Sequence, residues 1–239
     1  MNFLSGLIPK ILKDKVKRSS GAPDMFWSIQ NMKTNGFCPN RIIDIGAYTG
    51  EWTLSVKNIF PNAHFLMIEP QGSKRENLEK VCIKNTNVCY CNNILGASSG
   101  KTIIFHEMET ASSVLTEHHD VEAKLTNKIT ATLDQVADQY GFKNTEFIKL
   151  DTQGYELEIL KGGINMMSKA ECILMEVNLI DIHQQCPLLH DAVMFMNDHG
   201  FLAYDICSFT RRPLDKALWQ TDMIFVKNTS KLRASKRYQ

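Results

Sequence analysis

Two acids and two glycines at fixed spacing carry the first chemical signal in this sequence. In Ile42-Ile43-Asp44-Ile45-Gly46-Ala47-Tyr48-Thr49-Gly50-Glu51 an apolar run breaks at glycine and restarts as a helix. Glycine lets the backbone come close to a ligand, and a helix start offers unpaired N–H groups. Glu69 ends a second apolar run, in Met67-Ile68-Glu69-Pro70. An acid at the second strand end is placed to accept the hydroxyls of an adenosine ribose. The loop lacks the G-x-G-x-x-G spacing whose second glycine admits a pyrophosphate, which argues against a nicotinamide oxidoreductase. The fit is instead to a nucleoside with an amino-acid tail: Asp44 near a positive amino group, and Gly46, Ala47, Tyr48 and Gly50 around the tail. An ordinary strand-turn-helix with a chance acid is the lesser account even for the Gly46 loop taken alone, and the pairing with Glu69 weakens it further.

These residues need a scaffold, and the chain supplies one by alternation. Strand-like runs 41–45, 64–68, 87–91, 147–150 and 172–177 alternate with helical stretches 51–57, 73–83, 132–140, 155–161 and 188–198, and 201–206 with 223–226 form a final pair. Such alternation is the signature of a mostly parallel sheet with helices on both faces, here with seven core strands. Lys101 to Phe105 reads as an added hairpin strand. The polar segment from His106 to Ile129 reads as an insertion near the sheet edge that contributes to substrate binding.

Bulk composition excludes more than it selects. The 239 residues are 44% hydrophobic and 22% charged, and 27 basic against 26 acidic side chains leave a net charge of +1, so no nucleic-acid partner is indicated. Seven cysteines without zinc-like repeats read as reduced and mostly buried, Cys89 and Cys91 included. No secretory signal and no spanning apolar run is evident, which places the protein in the cytoplasm. Phe3, Leu4, Leu7, Ile8, Ile11, Leu12 and Val16 recur at helical spacing among Lys10, Lys13, Lys15, Lys17 and Arg18. That basic amphipathic pattern either packs on the domain or lies on the inner face of a membrane as a peripheral contact. The expected organisation is an N-terminal helix and helical cap over 1–35, a catalytic domain over 36–228, and a basic, disordered tail over 229–239.

The chain resembles the FkbM family of methyltransferases in four places. They are Ile43 through Gly50, Glu69-Pro70, Thr132-Leu133-Asp134, and Ile148-Lys149-Leu150-Asp151-Thr152-Gln153-Gly154-Tyr155-Glu156 running on to Leu160-Lys161-Gly162-Gly163, with Glu176 as a fifth match. The family often has Asn where Tyr48 stands and Glu where Gln153 stands. The resemblance implies a Rossmann-like class I methyltransferase fold of the α/β class, S-adenosyl-L-methionine as cofactor, and O-methylation of a small-molecule or glycan acceptor such as a saccharide or polyketide-like metabolite. A non-catalytic cofactor-binding or membrane-associated scaffold on the same fold is the alternative.

Methyl transfer from a sulfonium is an in-line displacement that also removes a hydroxyl proton, so a base must stand at the carboxyl ends of the strands. Asp151, Glu176 and His183 occupy such positions. Asp151 also suits a helix cap or the cofactor amine, Glu156 suits the helix dipole, and a loop histidine is often simply solvated. The three bases together could hold a divalent metal ion instead. Asn92 and Asn93, after the third strand, are candidates for the adenine. Ser112 and Ser113 match a family serine position without a derived role, and His118-His119-Asp120 reads as solvated surface.

Overall fold

A computed structural model of the chain describes residues 21–108, 112–118 and 123–238. The amphipathic segment of residues 1–18 and the pair His119-Asp120 lie outside the described residues. The first helix, α1 (Met25–Thr34), is capped by Asp24, whose carboxylate accepts from Trp27 N–H at 3.0 Å. There follow β1 (Arg41–Ile45), α2 (Glu51–Ile59), β2 (His64–Ile68), α3 (Arg75–Lys84), β3 (Val88–Cys91), β4 (Ile94–Leu95), β5 (Thr102–Glu107) and β6 (Lys124–Ala131). The second half runs α4 (Leu133–Gln139), β7 (Phe147–Leu150), α5 (Glu156–Lys161), α6 (Ile164–Lys169), β8 (Cys172–Asn178), α7 (Leu189–Asp198), β9 (Phe201–Ile206), β10 (Thr210–Arg211) and β11 (Leu218–Lys227).

The main sheet has the order β10-β11-β8-β7-β1-β2-β3, with β9 also paired to β11. β1 is parallel to β2 and β7, β2 to β3 and β7 to β8, whereas β11 runs antiparallel to β8 and β9. Short β10 adds an eighth strand to the seven expected. From β1 the chain builds outward to β2 and β3, then returns to the other side of β1 with β7. The junction of β1 and β7 is therefore the place where strand order reverses, where open α/β sheets bind ligands.

Strand alternation sorts the core into two layers. Ile43, Ile45, Ile148 and Leu150 face one side, packed with residues of α4 to α7 such as Leu133, Leu160 and Met196. Ile42, Phe65, Met67 and Phe147 face the other, packed with Ile29 and Met32 of α1, Val56 of α2 and Leu78 of α3. Ile29 and Met32 are fully buried there, so α1 is part of the domain core, and the boundary drawn at residue 36 falls inside a packed layer.

The insertion is more regular than its sequence suggests. β6 pairs antiparallel with β5 and parallel with β4 as a small separate sheet. The inward side of β6 carries Lys128, whose Nζ donates to Pro70 O at 2.7 Å, and the outward side exposes Leu125 and Ile129. This inverted polarity hides the strand from a reading that expects apolar side chains inward. At the other end, Ser230 Oγ donates to Glu171 Oε1 at 2.9 Å and a 3-10 turn spans Lys231–Arg233, so order continues past residue 229 where a disordered tail is expected.

Candidate functional site

The site begins at the ends of β1, β2 and β7. Beyond β1 the ladder continues: Gly46 N–H donates to Ile68 O at 2.9 Å and Asp151 N–H to Ile45 O at 3.1 Å. Gly46 sits at φ +72°, and a Cβ there would stand 1.9 Å from the Asp151 carbonyl oxygen. The glycine is thus demanded by the neighbouring strand end, before any ligand is considered. Glu69, only 3% exposed, accepts Tyr48 N–H on Oε2 and Gln71 N–H on Oε1, both at 2.9 Å. A carboxylate has about four lone-pair sites, so each oxygen keeps capacity for a ligand hydroxyl. Burial raises the Glu69 pKa, against the pull of those two N–H groups and of Lys149.

Beneath the Gly46 loop lies a buried ion pair. Asp44 and Lys149 are register partners on β1 and β7. Lys149 Nζ stands 2.9 Å from Asp44 Oδ1 and 3.7 Å from Asp151 Oδ2, and donates to Gly46 O at 2.9 Å. Thr53 Oγ1 of α2 donates to the other Asp44 oxygen at 2.7 Å. Burial alone would lower the Lys149 pKa, but the Asp44 and Asp151 carboxylates more than reverse that and raise it. Removing one partner of such a pair costs about 3–5 kcal/mol because the other charge stays buried and unpaired.

A second cluster forms where β7 and β8 end. Gln153 holds a left-handed backbone at φ +55°. Its Nε2 donates to Asp151 Oδ1 at 3.2 Å and to Glu176 Oε1 at 3.1 Å, one amide hydrogen for each acid. Gln220 of β11 donates to the same Glu176 oxygen at 2.7 Å. Burial, then the charges of Asp151, Glu156 and Asp222, raise the Glu176 pKa well above the ordinary carboxyl value. Glu156 closes the turn from inside, its Oε1 accepting Thr152 N–H at 2.7 Å, Thr152 Oγ1 at 3.0 Å and Gly154 N–H at 3.3 Å.

These strand ends open onto a pocket. Gly46, Tyr48, Glu69, Asn93 and Asp151 line it, with Ile94, Leu95 and Phe105 of the small sheet and Tyr155 and Ile159 as apolar walls. Ser112 and Ser113 close it from the insertion, Ser113 Oγ donating to Gln153 O at 3.1 Å. Gln71 also lines the pocket, and its Oε1 is buried with no hydrogen-bond partner among the described residues. An unmet buried acceptor costs on the order of 1–3 kcal/mol. The spare acceptor capacity of Glu69 fits a nucleoside ligand.

Other expected site residues stand elsewhere. Asp44 faces the α2 side of the sheet, because side chains alternate along a strand and Ile43 and Ile45 take the pocket side, so its expected contact with an amino group is corrected to the pair with Lys149. Ala47 belongs to the same far layer, and a Cβ on Gly50 would meet Met67, Leu78 and Val81 rather than the pocket. Asn92 Nδ2 donates to Glu69 O at 2.8 Å, bracing the acid from behind. Glu176 lies behind Gln153 instead of lining the pocket.

His183 is 2% exposed, its Nε2 3.8 Å from Glu117 Oε1, with no hydrogen bond to either ring nitrogen among the described residues. The loop that carries it pairs with the insertion, His118 N–H donating to Ile182 O at 3.0 Å, and this draws the ring away from the strand ends. Among the described residues no group of His, Cys, Asp and Glu is arranged to hold a metal ion, so Asp151, Glu176 and His183 are not assembled as one. Burial pushes the Cys89 and Cys91 thiols up to about 11 and about 12. Lys149, Gln71 and Gln220 escaped the sequence reading, and Gln153 entered it only as a departure from the family pattern. Only Lys149 left a signal there, as the one charge inside a buried apolar run.

A parallel sheet with a crevice at its reversal point, an acid at the second strand end and a glycine turn at the first define the Rossmann-like class I methyltransferase fold. The family model described as the methyltransferase FkbM domain matches residues 44–203. The chain belongs to that family. In structure it is similar to the Methanococcus jannaschii fibrillarin pre-rRNA processing protein, at 14% identity and a TM-score of 0.50 over 79% of this chain and 66% of that one. It is also similar to magnesium protoporphyrin IX methyltransferase from Synechocystis PCC 6803 with bound SAM (11% identity, TM-score 0.49, 93% and 86% covered). A third is precorrin-6y C5,15-methyltransferase from Geobacter metallireducens (13% identity, TM-score 0.49, 84% and 86% covered). No curated protein sequence matches the chain.

Proposed function

We propose that this chain is an S-adenosylmethionine-dependent O-methyltransferase acting on a hydroxyl of a small molecule, of the saccharide or polyketide-like kind. The observation that carries the reading is the single pocket shared by Gly46, Glu69 and Asp151, which joins a ribose-accepting acid to a candidate base. When bound, the cofactor supplies an electrophilic methyl group on a sulfonium. Glu69 accepts the ribose hydroxyls, and Tyr48 and Gln71 N–H hold its two oxygens in place. The apolar walls from β4 and β5 exclude water around the nucleoside.

Asp151 is the residue we assign to the acceptor's proton. Its side chain is 42% exposed at the pocket, and Gln153 restrains Oδ1 while Lys149 stands near Oδ2. A positioned carboxylate that takes a hydroxyl proton as the new oxygen–carbon bond forms contributes about 10²–10⁴-fold. Glu176, held by two amides and keeping its proton further up the pH scale than an ordinary carboxyl, serves to orient Gln153 and Asp151. His183 has no part in this mechanism.

The deciding experiment is calorimetric titration of the wild type and Glu69→Ala with S-adenosylmethionine and S-adenosylhomocysteine, with NADH as control. We expect the variant to bind both sulfur nucleosides at least tenfold more weakly, about 1.4 kcal/mol. No binding by the wild type, or preference for NADH, overturns the reading.

A further inference from the structure

We propose that the two ends of the chain form one docking surface for a membrane rich in anionic phospholipid headgroups. The charge of the sequence is balanced only as a sum. Nine of its 27 basic side chains, but only one of its 26 acids, fall in residues 1–20 and 228–239, so the net +1 hides two strongly basic ends on an acidic body. Charge separated in this way suits an extended anionic partner.

Far apart in sequence, the two ends meet on one flank of the fold. On α1, the first helix after the N-terminal segment, Ser28 Oγ donates to Asp205 Oδ2 of β9 at 2.6 Å. The 3-10 turn Lys231–Arg233 is tied to the same strand, an Arg233 guanidinium nitrogen donating to Ala203 O at 3.0 Å. Leu232 packs on the core layer that holds Ile29 and Met32 of α1. Arg233 thus anchors the tail, while Lys231, Lys236 and Arg237 stay exposed. The neighbouring acids already accept hydrogen bonds that hold this flank together: Asp24 from Trp27 N–H, Asp205 from Ser28 and Glu171 from Ser230.

Apolar surface decides between a lipid and a nucleic acid. α1 turns Ile29 and Met32 inward and leaves Phe26 and Trp27 41% and 36% exposed, and Tyr238 at the end of the tail is 99% exposed. The segment before α1 carries its apolar stripe from Phe3 to Val16 among five basic residues. A nucleic-acid backbone engages the cations and has no use for an aliphatic stripe. A layer of anionic headgroups over acyl chains takes both, with aromatic side chains at the boundary. None of these residues lines the pocket, so docking is separable from ligand binding.

The test is co-sedimentation of the full chain with vesicles of phosphatidylcholine alone and of phosphatidylcholine mixed equally with phosphatidylglycerol. We expect at least tenfold tighter binding to the anionic vesicles, weakening as salt is added. A cation close to an anionic bilayer is worth roughly a fivefold change in affinity. The tail variant Lys231→Gln/Lys236→Gln/Arg237→Gln should therefore bind at least tenfold more weakly, and so should Ile8→Gln/Leu12→Gln in the apolar stripe. The charge-keeping variant Lys231→Arg/Lys236→Arg/Arg237→Lys should bind like the wild type, which separates lost charge from a damaged fold. Equal binding to neutral vesicles, no binding to either kind, or displacement from the anionic vesicles by a single-stranded RNA oligonucleotide would overturn the proposal. A tail variant within twofold of the wild type, or failure of the charge-keeping variant to restore binding, would overturn it as well.

Discussion

At Gly46 the missing side chain answers to the protein before it answers to a ligand. Replacing it with alanine forces a Cβ toward the Asp151 carbonyl from a positive φ, and we expect a loss on the order of 3 kcal/mol or more, read as a lower urea midpoint in the absence of any ligand. Glu176 gives a prediction of opposite sign. Its folded pKa is raised by burial and by neighbouring acids, so the stability it contributes is complete below its unfolded pKa near 4.3 and is lost as pH rises through the folded value. Glu176→Gln, which keeps the shape and removes the charge, should therefore raise the melting temperature at pH 7 and change it little at pH 4. Equal gains at both values would mean that charge is not what the site bears at that position.

Helices and strands at this site are held by a few local devices whose cost is measurable one at a time. Thr132 caps α4 through a box with Gln135: Gln135 N–H donates to Thr132 Oγ1 at 3.2 Å and Thr132 N–H to Gln135 Oε1 at 3.4 Å. Thr132→Ala should cost about 1 kcal/mol, seen in the denaturation midpoint with the slope unchanged. The glycine pair after α5 has a packing cause: a Cβ on Gly162 would lie 2.2 Å from Gly96 O, and one on Gly163 would lie 2.7 Å from Leu133. These contacts seat α5 against the small sheet and α4. The small sheet in turn brings Phe105 and Ser113 to the pocket, so a segment that reads as a polar insertion completes the wall of the site.

Across the whole molecule, two core layers on either side of one sheet make α1 indispensable. Ile29 and Met32 are fully buried against Ile42 and Phe147. Full burial of such a side chain is worth about 1.5–3 kcal/mol, so a chain that begins at residue 36 should lose roughly 3–6 kcal/mol, checked by chemical denaturation beside the full chain. An unchanged midpoint would restore the domain boundary drawn from sequence. Among the described residues no helix is long and apolar enough to cross a membrane.

The sequence by itself determined the alternation, and with it the parallel sheet and the crossing helices, because a strand buried on both faces must be a continuous apolar run. It also located Gly46, Glu69 and Asp151, since ends of apolar runs are visible in one dimension and ligands bind at those ends. Only the tertiary structure decided which way side chains point from the runs. Asp44 and Glu69 look equivalent in sequence, yet the two-residue period turns Asp44 to the α2 side, where Lys149 neutralises it. His183 looked like a base until the loop pairing with the insertion buried it beside Glu117. Gln220 had no signature at all and Gln153 only that of a departure from the family pattern: an uncharged amide fits no periodic pattern, and its role exists only once folding brings an acid within hydrogen-bond distance.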